Sequence, residues 1–512
     1  MSKEIKILDE RYQSYLEDES RLRGKAETIS FPQSQADVEH IVQTLFSQGI
    51  PITIQGAKTG IAGGAVPSSG HILNLSFMKR ITGLVREMSG NFQVSLEPGV
   101  TLEELQKSLA HGNFDTTGWD DASLRTFEEY RQSKRYFWPP DPTEASATIG
   151  GIASTNASGP CSLEYGPASH YIKAIRILDA RGRAFLLRRG EYVFERGYLR
   201  LPDGEEIRLD QNILEKYVGT DLIDIYLGSE GMYGVITGLT LDLVRMPTQM
   251  WGIFFFFENE EGSAGFIESV REGRKPGDDA RIVAIEFMDK NTIDSISLLR
   301  GTNSELRKFP SFPPGVVSLV YLELHGDDSE KIEAKLHEIL DLSKRFGCNI
   351  DTTWSFSGEN EIAKARKFRH AAPESVNRLI DKARLIDPQI RKLSSDISLR
   401  SLSFSDALKI YRDDLDHRGL KAAIFGHAGS SHLHVNFMPD DHLQYLAGKD
   451  LIEEWTNKAA LLGENIAAEN GIGKTKKHLL KVKPYEGYLT ALRLIKKALD
   501  PQGLWNPTNM VD

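Results

Sequence analysis

The loop Gly56-Ala57-Lys58-Thr59-Gly60-Ile61-Ala62-Gly63-Gly64 stands between two short apolar runs, PITIQ at 51–55 and the alternating HILNLSFM at 71–78. Clustered glycines let consecutive amide N–H groups turn into one concavity, which can hold a diphosphate without many cations. A strand, such a loop and a second strand call for an alternating α/β unit. The glycine spacing is not that of the doubly wound dinucleotide fold, and no helix opens directly after the loop. Taken alone, the segment reads equally well as a flexible surface loop.

At 512 residues the chain is long enough for about two to four structural units. Before the loop, Ser34 and Asp37 have capping-box spacing, and Val38, Ile41, Val42, Leu45 and Phe46 recur at helical period. After it, a strand at 93–99 and a helix at 101–110 repeat the order. Residues 111–136 read as an irregular, aromatic-bearing insertion, and strands are predicted at 172–179, 184–190 and 233–244. Near Met246-Pro247 the texture changes. Strands MWGIFFFFE and RIVAIEFMD flank a helix at 263–273, followed by a strand at 315–326 and a long periodic helix. That order predicts an antiparallel sheet with helices on one face. Helices at 451–468 and 485–499 lead into the tail NPTNMVD. We divide the chain into an extension at 1–27, a first domain at 28–246, a second at 247–420 and a closing segment at 421–512.

Composition excludes several classes. Basic residues number 62 against 72 acidic, a net charge of −10 without a basic block, so no nucleic-acid partner is expected. Two cysteines, Cys161 and Cys348, cannot build a disulfide framework, a four-thiolate zinc site or an iron–sulfur cluster. The first residues lack the apolar stretch of a signal peptide. The apolar run at 251–257 is far shorter than the roughly 20 residues that span a bilayer. A soluble, cytoplasmic protein with no membrane span is expected.

Further motifs follow the first loop in order. Trp138-Pro139-Pro140-Asp141-Pro142-Thr143 precedes Thr148-Ile149-Gly150-Gly151, then Asn156-Ala157-Ser158-Gly159, and later Gly228-Ser229-Glu230-Gly231-Met232-Tyr233-Gly234-Val235-Ile236-Thr237. The set resembles the FAD domain of the vanillyl-alcohol oxidase and p-cresol methylhydroxylase superfamily, in particular its D-lactate, glycolate and D-2-hydroxyglutarate dehydrogenase branch. The resemblance runs from about residue 28 to 509. It implies an α+β protein: a two-subdomain FAD-binding domain of the p-cresol methylhydroxylase type plus an α+β substrate, or cap, domain with an antiparallel sheet. It also assigns the cofactor to Gly56, Ala57, Lys58, Thr59, Gly60, Gly63, Gly64, Pro140, Asp141, Thr148, Gly150, Gly151 and Asn156. Glu230, Gly231, Val235, Ile236 and Asn506 complete that set. Relatives that bind flavin covalently through this loop carry a histidine where Thr59 aligns, so the FAD is expected to be non-covalent. Cys161 reads as a small buried thiol rather than a thioether link.

The carboxyl-terminal half holds Gly426-His427-Ala428-Gly429-Ser430-Ser431-His432-Leu433-His434-Val435-Asn436 and Ala468-Glu469-Asn470-Gly471-Ile472-Gly473-Lys474. The resemblance implies a divalent metal, zinc by preference, on His427, His434 and Glu469. Imidazole and carboxylate ligands in a set of three leave positions open for substrate oxygens. Histidines in a short strand are also common as hydrogen-bonded packing. His432 shares a strand face with His434 and is a second ligand or an acid–base group. The family's Glu-His-Gly has Asn470 in place of its histidine, and an amide cannot act as a base near neutral pH. Asn436 matches a substrate-contacting asparagine. Arg369 matches the arginine that grips a substrate carboxylate, with Arg366 one helical turn earlier. A solvated basic face is the plain alternative for both. Residues 468–475 also fit a permissive phosphate-loop pattern, which would need a buried strand before and a helix after.

The resulting expectation is an FAD-dependent oxidoreductase that oxidises a small D-2-hydroxy acid to the 2-oxo acid. It would pass electrons to an external acceptor, whether a quinone, a cytochrome or an electron-transferring flavoprotein, and a homodimer is left open. Two alternatives stand beside it. One is a flavin-binding subunit with a silenced or repurposed site; the other is an alkylglycerone-phosphate-synthase-like flavoenzyme.

Overall fold

The computed structural model describes residues 4–195, 198–208, 221–275, 277–482 and 486–511. The chain divides into two compact units. One comprises Met1–Ser158, Pro167–Met246 and Glu469–Asp512, the other Gly159–Gly166 and Pro247–Ala468.

The first unit contains two main sheets. In one, strands Thr28–Ser30, His71–Asn74 and Ile52–Gln55 run parallel, and Lys6–Ile7 adds antiparallel to Thr28–Ser30. The expected extension at 1–27 is thus tied into this sheet. The helix Gln35–Phe46 is capped by Ser34, which accepts the Asp37 N–H at 3.2 Å. Its residues Val38, Ile41, Val42 and Leu45 bury against Ile52, Leu73 and Trp505. The second sheet is antiparallel, ordered Ile81–Arg86, Phe92–Leu96, Val235–Asp242, Ile172–Leu178, Ala184–Arg188. The stretch read as irregular contains the helix Asp121–Gln132, capped by Asp120. Only Ser123 and Tyr130 of that helix are buried, so it carries almost no apolar period to read.

The second unit is built on one seven-stranded antiparallel sheet. Its order is Trp354–Ser357, Gln249–Phe257, Ser318–Gly326, Ala280–Met288, Ala422–His427, His432–Phe437, Ile397–Ser398. Helices cover both faces, not one as expected. Phe255 and Phe257 pack on Phe266 of the helix Glu260–Gly273, at ring distances of 5.0 and 5.6 Å. Phe254 faces the other way and meets Phe368 of the helix Glu359–Arg369 at 5.4 Å. Four consecutive phenylalanines suit a strand whose two sides are both dry, and alternation then feeds each face in turn.

Two boundaries also move. The strands Ala422–His427 and His432–Phe437 belong to this sheet, so the chain returns to the first unit at Glu469 rather than at 421. The helix expected at 451–468 runs instead over His442–Leu461, starting where Asp441 accepts the Gln444 N–H at 2.8 Å. It stops before Gly463, whose φ of +76° no continuing helix adopts. The helix Glu486–Leu499 follows; residue 485, its expected start, lies outside the described residues. No helix among the described residues is long and apolar enough to cross a membrane.

Candidate active site

The glycine loop follows the strand Ile52–Gln55 and turns through Lys58 and Gly63, with φ of 62° and 76°. Several of its carbonyls are engaged by protein donors. Lys58 O accepts the Glu19 N–H, Ala62 O those of Lys474 and Thr475, and Gly64 O the Asn509 Nδ2–H. Among the described residues no acceptor takes the amide N–H of residues 57–64. A run of N–H donors without protein acceptors is a donor set that suits a dinucleotide pyrophosphate. Gly150 packs on the protein itself: a Cβ there would stand 2.6 Å from Pro98 Cβ and 3.0 Å from its carbonyl oxygen. The buried Trp138 indole N–H, just before Pro140, finds no acceptor among the described residues. These features fit FAD.

Several residues assigned to the cofactor serve the protein with their side chains. Lys58 Nζ donates to Ser14 O at 2.6 Å and lies over the Tyr15 ring, turned toward the amino-terminal segment. Thr148 caps the helix Ile149–Thr155, and Asn156 Oδ1 accepts the Ser169 N–H. Asn506 bonds Ile54 N and Glu230 O. Gly231 packs under Asn506, and Val235 and Ile236 are buried strand residues paired with Leu178 and Ile177. Thr59 and Asp141 are half-buried, while Gly60 is exposed with open space where a Cβ would stand.

The histidines arise from strand register. Glu286 pairs with His427, and His427 with His432 across the hairpin of Ala422–His427 and His432–Phe437. Residues opposite one another in a sheet share a face, so this row stands side by side, with His434 two residues on from His432. Within the second unit, ligand atoms of His427, His432 and His434 lie within 4.8 Å of one another. That donor set and spacing fit one divalent cation.

Each imidazole is held from behind. His427 Nδ1 lies 2.6 Å from Glu286 Oε1, His432 Nε2 is 2.9 Å from Asp396 Oδ1, and His434 Nδ1 is 3.2 Å from Ser395 O. Such bonds fix tautomer and ring plane and aim the opposite nitrogen. Glu286 is 3% exposed and also accepts from Arg369 Nη1 at 3.1 Å. Burial would raise its pKa, but the facing His427 and Arg369 hold the carboxyl below its ordinary range. The sequence offered no local signal for Glu286, Asp396 or Ser395.

Arg369 is 7% exposed, so it is no solvated face. Arg366 grips buried Glu323 through Nε, at 3.1 Å, and Nη2. Tyr321 and His325 bond the same carboxylate, and Cys161 is buried beside it. Asn436 is buried and donates to His434 O at 3.2 Å, and Asn470 is half-buried beside Glu469. Residues 468–475 have no strand before them and no α-helix directly after, so the phosphate-loop pattern there lacks its scaffold.

Comparison with known proteins places these features in a family. The model of the FAD binding domain matches residues 26–123 and 122–187, and that of the FAD linked oxidases, C-terminal domain, matches residues 271–510. The chain is 24% identical to a D-lactate dehydrogenase of Anaerostipes hadrus, covering 99% of this chain and 94% of the relative. It is 22% identical to the glycolate oxidase subunit GlcD of Bacillus subtilis (strain 168), covering 94% and 88%. It is 24% identical to the mitochondrial D-2-hydroxyglutarate dehydrogenase of Bos taurus, covering 96% and 78%. Among solved structures, 4-ethylphenol oxidase from Gulosibacter chungangensis superposes with a TM-score of 0.67 at 17% identity, over 99% of this chain and 94% of that one. An alkyldihydroxyacetonephosphate synthase does so with a TM-score of 0.60 at 16% identity, over 95% and 77%. At such identities the structural likeness speaks for the fold alone. With an FAD binding domain at its start and an FAD-linked oxidase domain over most of the remainder, the chain belongs to the FAD-linked oxidoreductases of the p-cresol methylhydroxylase type.

Proposed function

We propose that the protein oxidises a small D-2-hydroxy acid, D-lactate-like in size, to the 2-oxo acid, with non-covalent FAD and a divalent metal, zinc by preference. The observation that carries this reading is the group of His427, His432 and His434, with Arg369 one carboxylate away through Glu286. FAD, when bound, supplies the acceptor for the α-hydrogen as hydride at N5. A divalent cation on His427, His434 and Glu469 supplies Lewis acidity toward the hydroxyl oxygen.

The chain's own residues do the remainder. Arg369 anchors the substrate carboxylate; a guanidinium carries five N–H donors, so a bond to Glu286 and a bidentate grip are compatible. Asn436, buried at 1% exposure, orients the substrate's polar end. His432, held by Asp396 through Nε2, takes the hydroxyl proton on Nδ1, a role Asn470 cannot fill. The names of the relatives support a hydroxy-acid substrate. Electrons would leave to an external acceptor, a quinone, a cytochrome or an electron-transferring flavoprotein.

Anaerobic mixing with D-lactate, glycolate and D-2-hydroxyglutarate tests the reading. Bleaching of the flavin band at about 450 nm by one of them is expected, and by L-lactate and L-2-hydroxyglutarate not. A yellow protein that none of these acids bleaches would point instead to a flavin-binding subunit with a silenced site. His432→Ala is expected to slow flavin reduction by about 10²–10⁴-fold if His432 is the base, and an unchanged rate removes that assignment.

A further inference from the structure

Two carbonyls of the glycine loop are held by segments far along the chain that belong to the same first unit. Ala62 O accepts the Lys474 N–H at 2.9 Å, the Thr475 N–H at 3.1 Å and the Thr475 hydroxyl at 3.2 Å. Two residues on, Gly64 O accepts the Asn509 Nδ2–H at 2.9 Å. Backbone donors hold the first carbonyl whatever the side chains are. The second depends on one side-chain amide.

Asn509 is 1% exposed, and its partners settle how that amide faces. Gly64 O and Glu230 O, the latter at 3.4 Å, can only accept, so both take Nδ2. The Lys474 ammonium can only donate, and it donates to Oδ1. A reversed amide would set its oxygen against two carbonyls and its NH₂ against a cation. Lys474 thus fixes the orientation in which Asn509 reaches the loop. Burial lowers the Lys474 pKa from 10.5 to about 8, with Glu230 and Asp18 opposing the fall and Lys477 adding to it.

The backbone that carries Asn509 is strained. Asn506, Thr508 and Met510 have φ of 39°, 70° and 51°, three left-handed non-glycine residues in five positions. Such conformations persist only where the surroundings over-determine them. Here the Asn506 N–H donates to Ile52 O at 2.8 Å and the Met510 N–H to Gly473 O at 3.0 Å. One end of the turn is therefore tied to the strand before the loop, the other to the residue beside Lys474. Gly473 in turn is pressed on the loop, since a Cβ there would lie 2.1 Å from Ala62 O.

We propose that Lys474 and Asn509 form a latch on the glycine loop: Lys474 orients the Asn509 amide, and the amide holds the Gly64 carbonyl so that the loop keeps the shape its diphosphate needs. Both are positioning residues that act through Gly64. The latch rests on the reading of this loop as the cradle of a non-covalent FAD.

The test is the rate at which FAD leaves the full holo chain on dilution, followed by the rise of free flavin fluorescence. The urea midpoint of the flavin-free chain is recorded alongside. Asn509→Ala and Lys474→Met are expected to speed release by about tenfold, the scale of one buried hydrogen bond left unmade. Asn509→Asp keeps an acceptor for Lys474 but sets an oxygen against Gly64 O. It is expected to speed release as much, while its ion pair with Lys474 holds the urea midpoint. Lys474→Arg still donates to Oδ1 and is expected to stay within about threefold of the parent. If Asn509→Ala does not fold, the contrast between Lys474→Met and Lys474→Arg decides alone. Unchanged release in Asn509→Asp and Lys474→Met overturns the latch, as does release from Lys474→Arg as fast as from Lys474→Met. A parent chain that takes up no FAD overturns the cofactor reading itself and the latch with it.

Discussion

His427 and Glu286 are separated by 141 residues and His432 and Asp396 by 36, yet each pair makes one short contact. The imidazoles were legible in the sequence because three within eight positions is an unusual local density. Their carboxylate partners were not, since an isolated Glu or Asp carries no mark until strand pairing brings it alongside. Glu286→Gln keeps the shape but weakens the hold on both His427 and Arg369, and zinc affinity is expected to drop by about 10–100-fold in a chelator titration. His71 offers a test away from the site. It is buried between Thr28 Oγ1 and Ser30 Oγ, and burial pushes its pKa from 6.5 down to about 3. The unfolded chain therefore binds the extra proton between these values. Stability contributed by neutral His71 is present above about pH 6.5 and is lost as pH falls toward 3, by up to about 1.4 kcal/mol per unit. His71→Gln is expected to flatten the pH dependence of the urea midpoint across that window.

Elements show where periodicity informs and where it is silent. The helix Gln35–Phe46 announced itself by cap and apolar stripe and Leu102–His111 by its place after a strand, and both formed within a residue or two of expectation. The strand Gln249–Phe257 was legible as a strand, but its run of phenylalanines also carried the information that both faces are covered, which the element order alone did not. Phe255 is fully buried against Phe266, so Phe255→Ala is expected to cost the second unit about 3–5 kcal/mol, read from denaturant unfolding. In the first unit, Gly150→Ala drives a Cβ against the backbone of Pro98. Overpacking of this kind costs about 1–3 kcal/mol, and reduced flavin content at unchanged expression is the expected readout.

Across the whole molecule, the family and the two kinds of sheet were readable from motif order, while the path of the chain between units was not. The short segment Gly159–Gly166 lies with the second unit although its neighbours on both sides lie with the first, and no composition shift marks either crossing. The return at Glu469 is similar: it follows from which strands pair, a long-range fact. Within the first unit, Trp505 is fully buried against Phe46 and bridges to Ile52, and Asn506 bonds Ile54. Trp505→Ala is therefore expected to lower the melting temperature and the bound flavin together, leaving the second unit's unfolding transition in place.

That packing sets an order of events during synthesis. The ribosome delivers the strand at Ile52–Gln55 early, but the indole that covers it emerges some 450 residues later. For most of translation the nascent chain thus carries a nucleotide-binding half whose core lacks one indole, while the seven-stranded sheet has all its strands in hand sooner.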